Sequence, residues 1–110
     1  MFGWLRRPPR ASLGLEISAA ELRTALDAPS PPFLLDVRGA GEFAAGHLAG
    51  ATLIPLPHLP AHLQEIPAGR AVVCICLSGH RSAMAARLLR ARGYSAQSLA
   101  RGMAGWPAAI

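Results

Sequence analysis

Apolar and polar positions along the chain divide it into short blocks whose periods switch between strand and helix. Leu13 to Ile17 reads as a short edge strand. Ser18-Ala-Ala-Glu21 then has the capping-box spacing, with Ser18 as N-cap and Glu21 reaching back. This predicts a helix to about Asp27 with Leu22 and Leu26 on one face. Ala28-Pro-Ser-Pro-Pro32 stops that helix and makes a stiff link. Phe33-Leu-Leu-Asp36-Val-Arg38 begins as a continuous apolar run, the mark of a strand buried on both faces. Glu42 to Ala45 predicts one helical turn ended by Gly46, and Thr52 to Ile54 a strand closed by Pro55 and Pro57. His58 to Ile66 predicts a short helix with Leu59, Leu63 and Ile66 inward.

Pro67 to Arg70 is a turn, and Ala71-Val-Val-Cys-Ile75 is a second fully apolar strand. Arg81 to Arg92 has a 3.6-residue pattern, placing Met84, Ala85, Leu88 and Leu89 on one face and Arg87 and Arg90 on the other. Gly93 fits the residue after a helix C-cap. Tyr94 to Leu99 gives a last strand, and Arg101 to Pro107 a turn and short helix with Trp106 covering the core. Strands alternating with helices predict an α/β domain with a parallel sheet covered on both faces.

Composition narrows the class. A chain of 110 residues, 52% hydrophobic and 15% charged, can bury one core and is not disordered. Aromatic residues are only 5%, so the core is aliphatic. Two cysteines make no disulfide framework, and no apolar run approaches membrane-spanning length. With no signal-peptide pattern, the expected location is cytoplasmic, where thiols stay reduced. Residues 1–12, with Arg6, Arg7, Arg10 and Pro8-Pro9, form an expected basic extension to a domain over residues 13–110. Phe2, Trp4 and Leu5 there leave a membrane-surface contact open, against a disordered tail.

The net charge is +5, and every basic residue is Arg. Six acids against Arg23 and Arg38 make residues 11–69 negative, whereas residues 70–110 hold six arginines and no acid. A positive half concentrates small anions. Without aromatic interleaving or a reader motif, nucleic acid is not an expected partner.

The chemistry concentrates in Cys76-Leu77-Ser78-Gly79-His80-Arg81-Ser82. A strand ends there, a short loop with a glycine follows, and a helix begins. Loop N–H groups and the helix start, worth roughly half a positive charge, make an anion pocket. A thiol held in it ionises more readily than a free one. The stretch therefore reads as a nucleophile with a site for an anionic substrate, against the simpler role of a buried core cysteine.

Other candidates are weaker. Asp36 and Arg38 end a strand where parallel sheets place their ligand crevice, and pairing with each other is their expected role. His47 lies among Leu48, Gly50 and Ala51 and reads as a hydrogen-bonded structural residue. His58 and His62 have a metal-pair spacing but no third ligand, so no metal and no cofactor are expected. Cys74 lies two residues before Cys76, on the same side of an ideal strand, and reads as core rather than as a resolving thiol.

Four segments, in order, resemble the single-domain rhodanese family. They are Leu34-Leu-Asp36-Val-Arg38; Glu42-Phe-Ala-Ala-Gly46-His47-Leu-Ala-Gly50-Ala51; Cys76-Leu-Ser-Gly79-His-Arg81-Ser82; and Gly102-Met-Ala-Gly-Trp106. The similarity spans about residues 13–107. It implies a five-stranded parallel sheet with helices on both faces, and sulfurtransferase chemistry through a persulfide on Cys76. It further implies that backbone N–H groups from Leu77 to Ser82, including those of Ser78, Gly79 and His80, cradle the substrate, and that Arg81 closes the loop and supports the charge. Asp36, Arg38, Glu42 and His47 match supporting positions.

The implied partners are a small anionic sulfur donor such as thiosulfate and an acceptor that is cyanide, a cellular thiol or a protein. Related phosphatases have a loop one residue longer than Cys76-x4-Arg81, which disfavours phosphoryl chemistry here. Some members of the family lack the cysteine and only bind partners, and retention of Cys76 and Arg81 argues against that role. Ala49 and Arg101 depart from the family pattern, which often has Pro and Gly there.

Overall fold

The computed structural model describes residues 14–107. The expectations for residues 1–13 lie outside the described residues. Five strands form one sheet: β1 (Glu16–Ile17), β2 (Phe33–Asp36), β3 (Thr52–Leu53), β4 (Val72–Ile75) and β5 (Ala96–Leu99). Their order is β1-β5-β4-β2-β3 and every pairing is parallel. The most apolar strand, β4, therefore lies in the middle, with Leu35 opposite Cys74 on one side and Cys74 opposite Ser98 on the other.

The helices are α1 (Ala19–Leu26), α2 (Ala40–Ala44) and α3 (His80–Ala91). The capping box of α1 forms as expected, with the Ser18 hydroxyl accepting from Glu21 N–H at 3.0 Å and the Glu21 carboxylate accepting from Ser18 N–H at 2.9 Å. At the other end of α3, Gly93 follows the C-cap Arg92 with φ 94°.

Strand alternation divides the core. Val72, Cys74 and Cys76 point to one face, with Leu35, Leu59, Ala85 and Leu89. Val73 and Ile75 point to the other, with Leu22, Leu34 and Leu99, where Trp106 and Leu26 pack from the edge. The period-two pleat thus aims Cys76 at the α3 side of the sheet.

Two sequence expectations are corrected. His58 to Ile66 is not an α-helix but two short 3-10 helices, Leu56–Ala61 and Leu63–Glu65. Pro57 and Pro60 lack the N–H that an α-helical ladder needs, while Leu59 and Ile66 still turn inward. The buried stripe of α3 is Ser82, Ala85, Ala86 and Leu89, and Met84 is 49% exposed. Small side chains take the sheet-facing positions, so the helix sits close to β4 and β5, and the larger Met84 falls on the opposite side.

Candidate active site

The site is built where β4 runs into α3. Cys76 is the first residue past β4, and its sulfur lies inside the loop that follows. The Cys76 Sγ accepts from the N–H of Gly79 at 3.1 Å and of Ser82 at 3.3 Å. It also lies 3.3 Å from Ser82 Oγ. Gly79 makes this possible: it is the residue before α3 and has φ 104°, a conformation that L side chains rarely adopt.

The turn after β5 holds the loop from behind. Met103 N–H donates to the Cys76 carbonyl and Ala104 N–H to the Leu77 carbonyl, both at 2.8 Å. In a trans peptide the carbonyl and the next N–H point in opposite directions. Anchoring those two carbonyls therefore fixes the Leu77 and Ser78 peptides, and the Ser78 N–H is among the groups that stabilise the sulfur anion. Gly102 permits the approach, because a Cβ there would stand 2.3 Å from the Cys76 oxygen. Arg101 precedes it with φ 64°, the one non-glycine residue at positive φ among the described residues.

Burial is the largest single influence on the Cys76 thiol and pushes its pKa up. Hydrogen bonds from the Ser82 hydroxyl and from the Ser82, Gly79 and Ser78 N–H groups together outweigh it, so the thiol is more acidic than usual. Cys74 is fully buried without such donors, and burial, with a smaller contribution from Cys76, pushes its thiol up to about 12. Two cysteines two residues apart are thus driven in opposite directions by the presence or absence of the loop's hydrogen-bond donors.

Arg81 makes no hydrogen bond to the sulfur. Its guanidinium donates to both Glu42 oxygens, at 2.8 and 2.9 Å. Glu42 also accepts from Gly39 N–H at 3.0 Å, so one carboxylate caps α2 and ties it to the start of α3. The Arg81 hydrogen bond, then that of Gly39, holds the Glu42 carboxyl down at about 2. Asp36 and Arg38 pair with each other as expected, the carboxylate accepting from Arg38 Nε at 2.9 Å and Nη2 at 2.8 Å. Arg38 Nη2 also reaches the Gly46 carbonyl at 2.8 Å, joining the end of β2 to the end of α2. His47 is exposed rather than surrounded by apolar groups. Its Nδ1 bonds the Phe43 carbonyl at 2.8 Å and its ring stacks on Phe43 at 3.6 Å.

The remaining loop side chains face outward: Leu77 is 50% exposed, and Ser78 and His80 are exposed too. His58 and His62 stand edge to face at 6.5 Å, and His62 bonds Glu65. Ser98 is the residue that sequence reasoning missed; its Oγ lies 2.7 Å from Ser82 Oγ. A polar side chain on the core-facing register of β5 was the available signal, since a buried hydroxyl needs a partner.

The fold is an α/β domain whose five-stranded parallel sheet leads into a loop where main-chain N–H groups converge on one cysteine sulfur. The model of the Rhodanese-like domain matches residues 18–109. The chain belongs to the rhodanese-like sulfurtransferase family. It is 35% identical over 79 residues to a sulfurtransferase of Allochromatium vinosum, covering 72% of this chain and 74% of that one. A rhodanese-like domain protein from Staphylococcus aureus superposes with a TM-score of 0.80 at 31% identity, covering 86% of this chain and 92% of that chain. A human single-domain sulfurtransferase gives 0.77 at 30% identity, covering 86% and 96%. Other curated relatives are longer, and the chain spans 43% of one and 21% of another. Among the described residues no helix is long and apolar enough to cross a membrane.

Proposed function

We propose that the protein moves sulfane sulfur from thiosulfate, or a related persulfide or polysulfide donor, to a thiophilic acceptor through Cys76. The observation that carries this reading is the Cys76 sulfur at the focus of the Gly79 and Ser82 N–H groups, 3.1 and 3.3 Å away. The thiolate attacks the outer sulfur of thiosulfate. The S–S bond breaks, sulfite leaves with the electron pair, and Cys76 carries a persulfide anion. Cyanide or a cellular thiolate then attacks the outer sulfur, forming thiocyanate or a new persulfide and restoring the thiolate. This is covalent catalysis in two half-reactions.

Both the thiolate and the persulfide are anions, so one set of fixed donors serves both halves. Arg81 supports that charge from its place beside the loop and keeps α3 aligned through Glu42. Leu77, Ser78, Gly79, His80 and Ser82 form the substrate loop. Asp36, Arg38, Glu42 and His47 hold the strand and helix ends around it. The acceptor is a small thiol, cyanide or a protein thiol. The cycle needs Cys76 reduced, which suits the cytoplasm.

The test is thiosulfate-to-cyanide transfer by the full chain beside Cys76→Ser and Cys74→Ser, with intact mass after thiosulfate alone. One added sulfur on wild type and Cys74→Ser, but none on Cys76→Ser, is the expected result. No sulfur uptake by wild type from thiosulfate or polysulfide overturns the reading in favour of a partner-binding module.

A further inference from the structure

Behind the Cys76 sulfur the Ser82 hydroxyl meets a second one, 16 residues away in sequence. Ser98 projects from β5 with its Oγ 2.7 Å from Ser82 Oγ, and both residues are fully buried. Ser98 Oγ also lies 3.4 Å from the Gly79 carbonyl, which already accepts Ala83 N–H at 3.1 Å. Only one proton can lie between two hydroxyls, so the chain from sulfur to carbonyl has two arrangements. In one, Ser98 donates to Ser82 and the Ser82 proton is free for the sulfur. In the other, Ser98 donates to Gly79, Ser82 donates to Ser98, and the Cys76 S–H donates to Ser82. The first suits a thiolate and the second a thiol.

We propose that Ser98 is a positioning residue for Cys76: by donating to Ser82 Oγ it aims the Ser82 proton at the sulfur when the sulfur is an anion. The proposal rests on the reading of Cys76 as the nucleophile. Without Ser98, the Ser82 hydroxyl is free to turn to the Gly79 or Ser78 carbonyl, three and four residues back, as helical serines do. The sulfur then loses a side-chain donor while keeping its main-chain ones. The ionisable groups around the loop are His80 within it, Cys74, Arg81 with Glu42, the Asp36–Arg38 pair, and Arg101 on the turn behind. None is altered by a change at Ser98.

The experiment follows the pH dependence of iodoacetamide alkylation of Cys76 in the full chain, read by mass, with the rate of persulfide formation from thiosulfate measured in parallel. Wild type, Ser82→Ala, Ser98→Ala and the double variant are compared. Each single change is expected to move the alkylation profile to higher pH and slow persulfide formation at neutral pH by about three- to tenfold, within the range for the net worth of one ordinary hydrogen bond. The double variant should match Ser82→Ala, because Ser98 acts through Ser82. Should Ser98→Ala not fold, Ser98→Thr and Ser98→Val carry the same comparison, differing only in the hydroxyl. An unshifted Ser98→Ala profile, or an equal further shift in the Ser82→Ala background, overturns the proposal. Alkylation does not depend on sulfur transfer. Failure of the sulfurtransferase reading therefore leaves shifted profiles without persulfide, and failure of this inference leaves persulfide with unshifted profiles.

Discussion

Arg81 and Glu42, separated by 39 positions, hold each other through two hydrogen bonds of 2.8 and 2.9 Å, and this pair joins the first turn of α3 to α2. Both side chains are 37% exposed, so solvent screens the pair and its worth is about 0.5–1 kcal/mol. The sign of its pH dependence is fixed. Glu42 has a folded pKa of about 2 against an ordinary 4.5, so its stabilisation is present above about 4.5 and is lost as pH falls toward 2. Urea denaturation at pH 7 and at pH 3 should find Glu42→Gln less stable than wild type at pH 7, with the gap narrowed at pH 3.

Gly102 is under two constraints at once. Its φ is 53°, and a Cβ would meet the Cys76 oxygen at 2.3 Å and the Leu77 carbonyl carbon at 2.6 Å. Gly102→Ala must push the turn away from the loop it anchors. A loss of about 2–4 kcal/mol in chemical denaturation is expected, the scale of a backbone clash in a packed region. The Cys76 thiol should also become less acidic, because the Leu77 and Ser78 peptides are no longer held.

Arg101 carries the opposite opportunity. A non-glycine residue in the left-handed region is strained by about 1 kcal/mol, and Arg101 sits there at φ 64°. Arg101→Gly should therefore be more stable than Arg101→Ala by about 1 kcal/mol in paired thermal melts. Equal stabilities of the two variants would contradict the strain.

Asp36 and Arg38 are 0% and 5% exposed. Asp36→Ala removes the carboxylate from a buried guanidinium. The expected loss is about 3–5 kcal/mol, larger than for Glu42→Gln because burial prevents water from replacing the partner.

Cys74 should be silent. Its thiol at about 12 stays protonated at neutral pH, whereas the Cys76 thiol, buried to the same degree, is more acidic than usual. Stoichiometric iodoacetamide at pH 7 should label Cys76 alone, and Cys74→Ala should keep its sulfur-transfer rate while losing about 1 kcal/mol of stability from the small cavity.

Much of this was legible in the chain. The apolar runs at β2 and β4, the Ser18–Glu21 box and the glycine at the loop have local causes, and local causes leave local patterns. The misread parts have long-range or competing causes. Prolines look the same whether they end an α-helix or build a 3-10 one, so the pattern over residues 58–66 predicts a helix without fixing its type. Hydrophobicity alone placed Met84 inward, whereas the close approach of α3 to the sheet selects Ser82, Ala85 and Ala86. Ser98 and the Met103 and Ala104 N–H groups reach Ser82, Cys76 and Leu77 only because β5 lies beside β4, and strand order leaves no mark in the spacing of residues.

Apart from the Ser82 hydroxyl, the donors around the sulfur belong to the main chain, which has a consequence for how this loop can change over generations. A side-chain cradle would be erased by many single-base changes. A main-chain cradle is rewritten by every codon except those for proline, which alone removes an N–H. Leu77, Ser78 and His80 can therefore drift and alter what meets an acceptor, while the cradle persists unaltered. The positions under constraint are those that hold the peptides in place, Gly79 and Gly102. A substitution in this loop is therefore felt through the shape of the backbone first and through side-chain chemistry second.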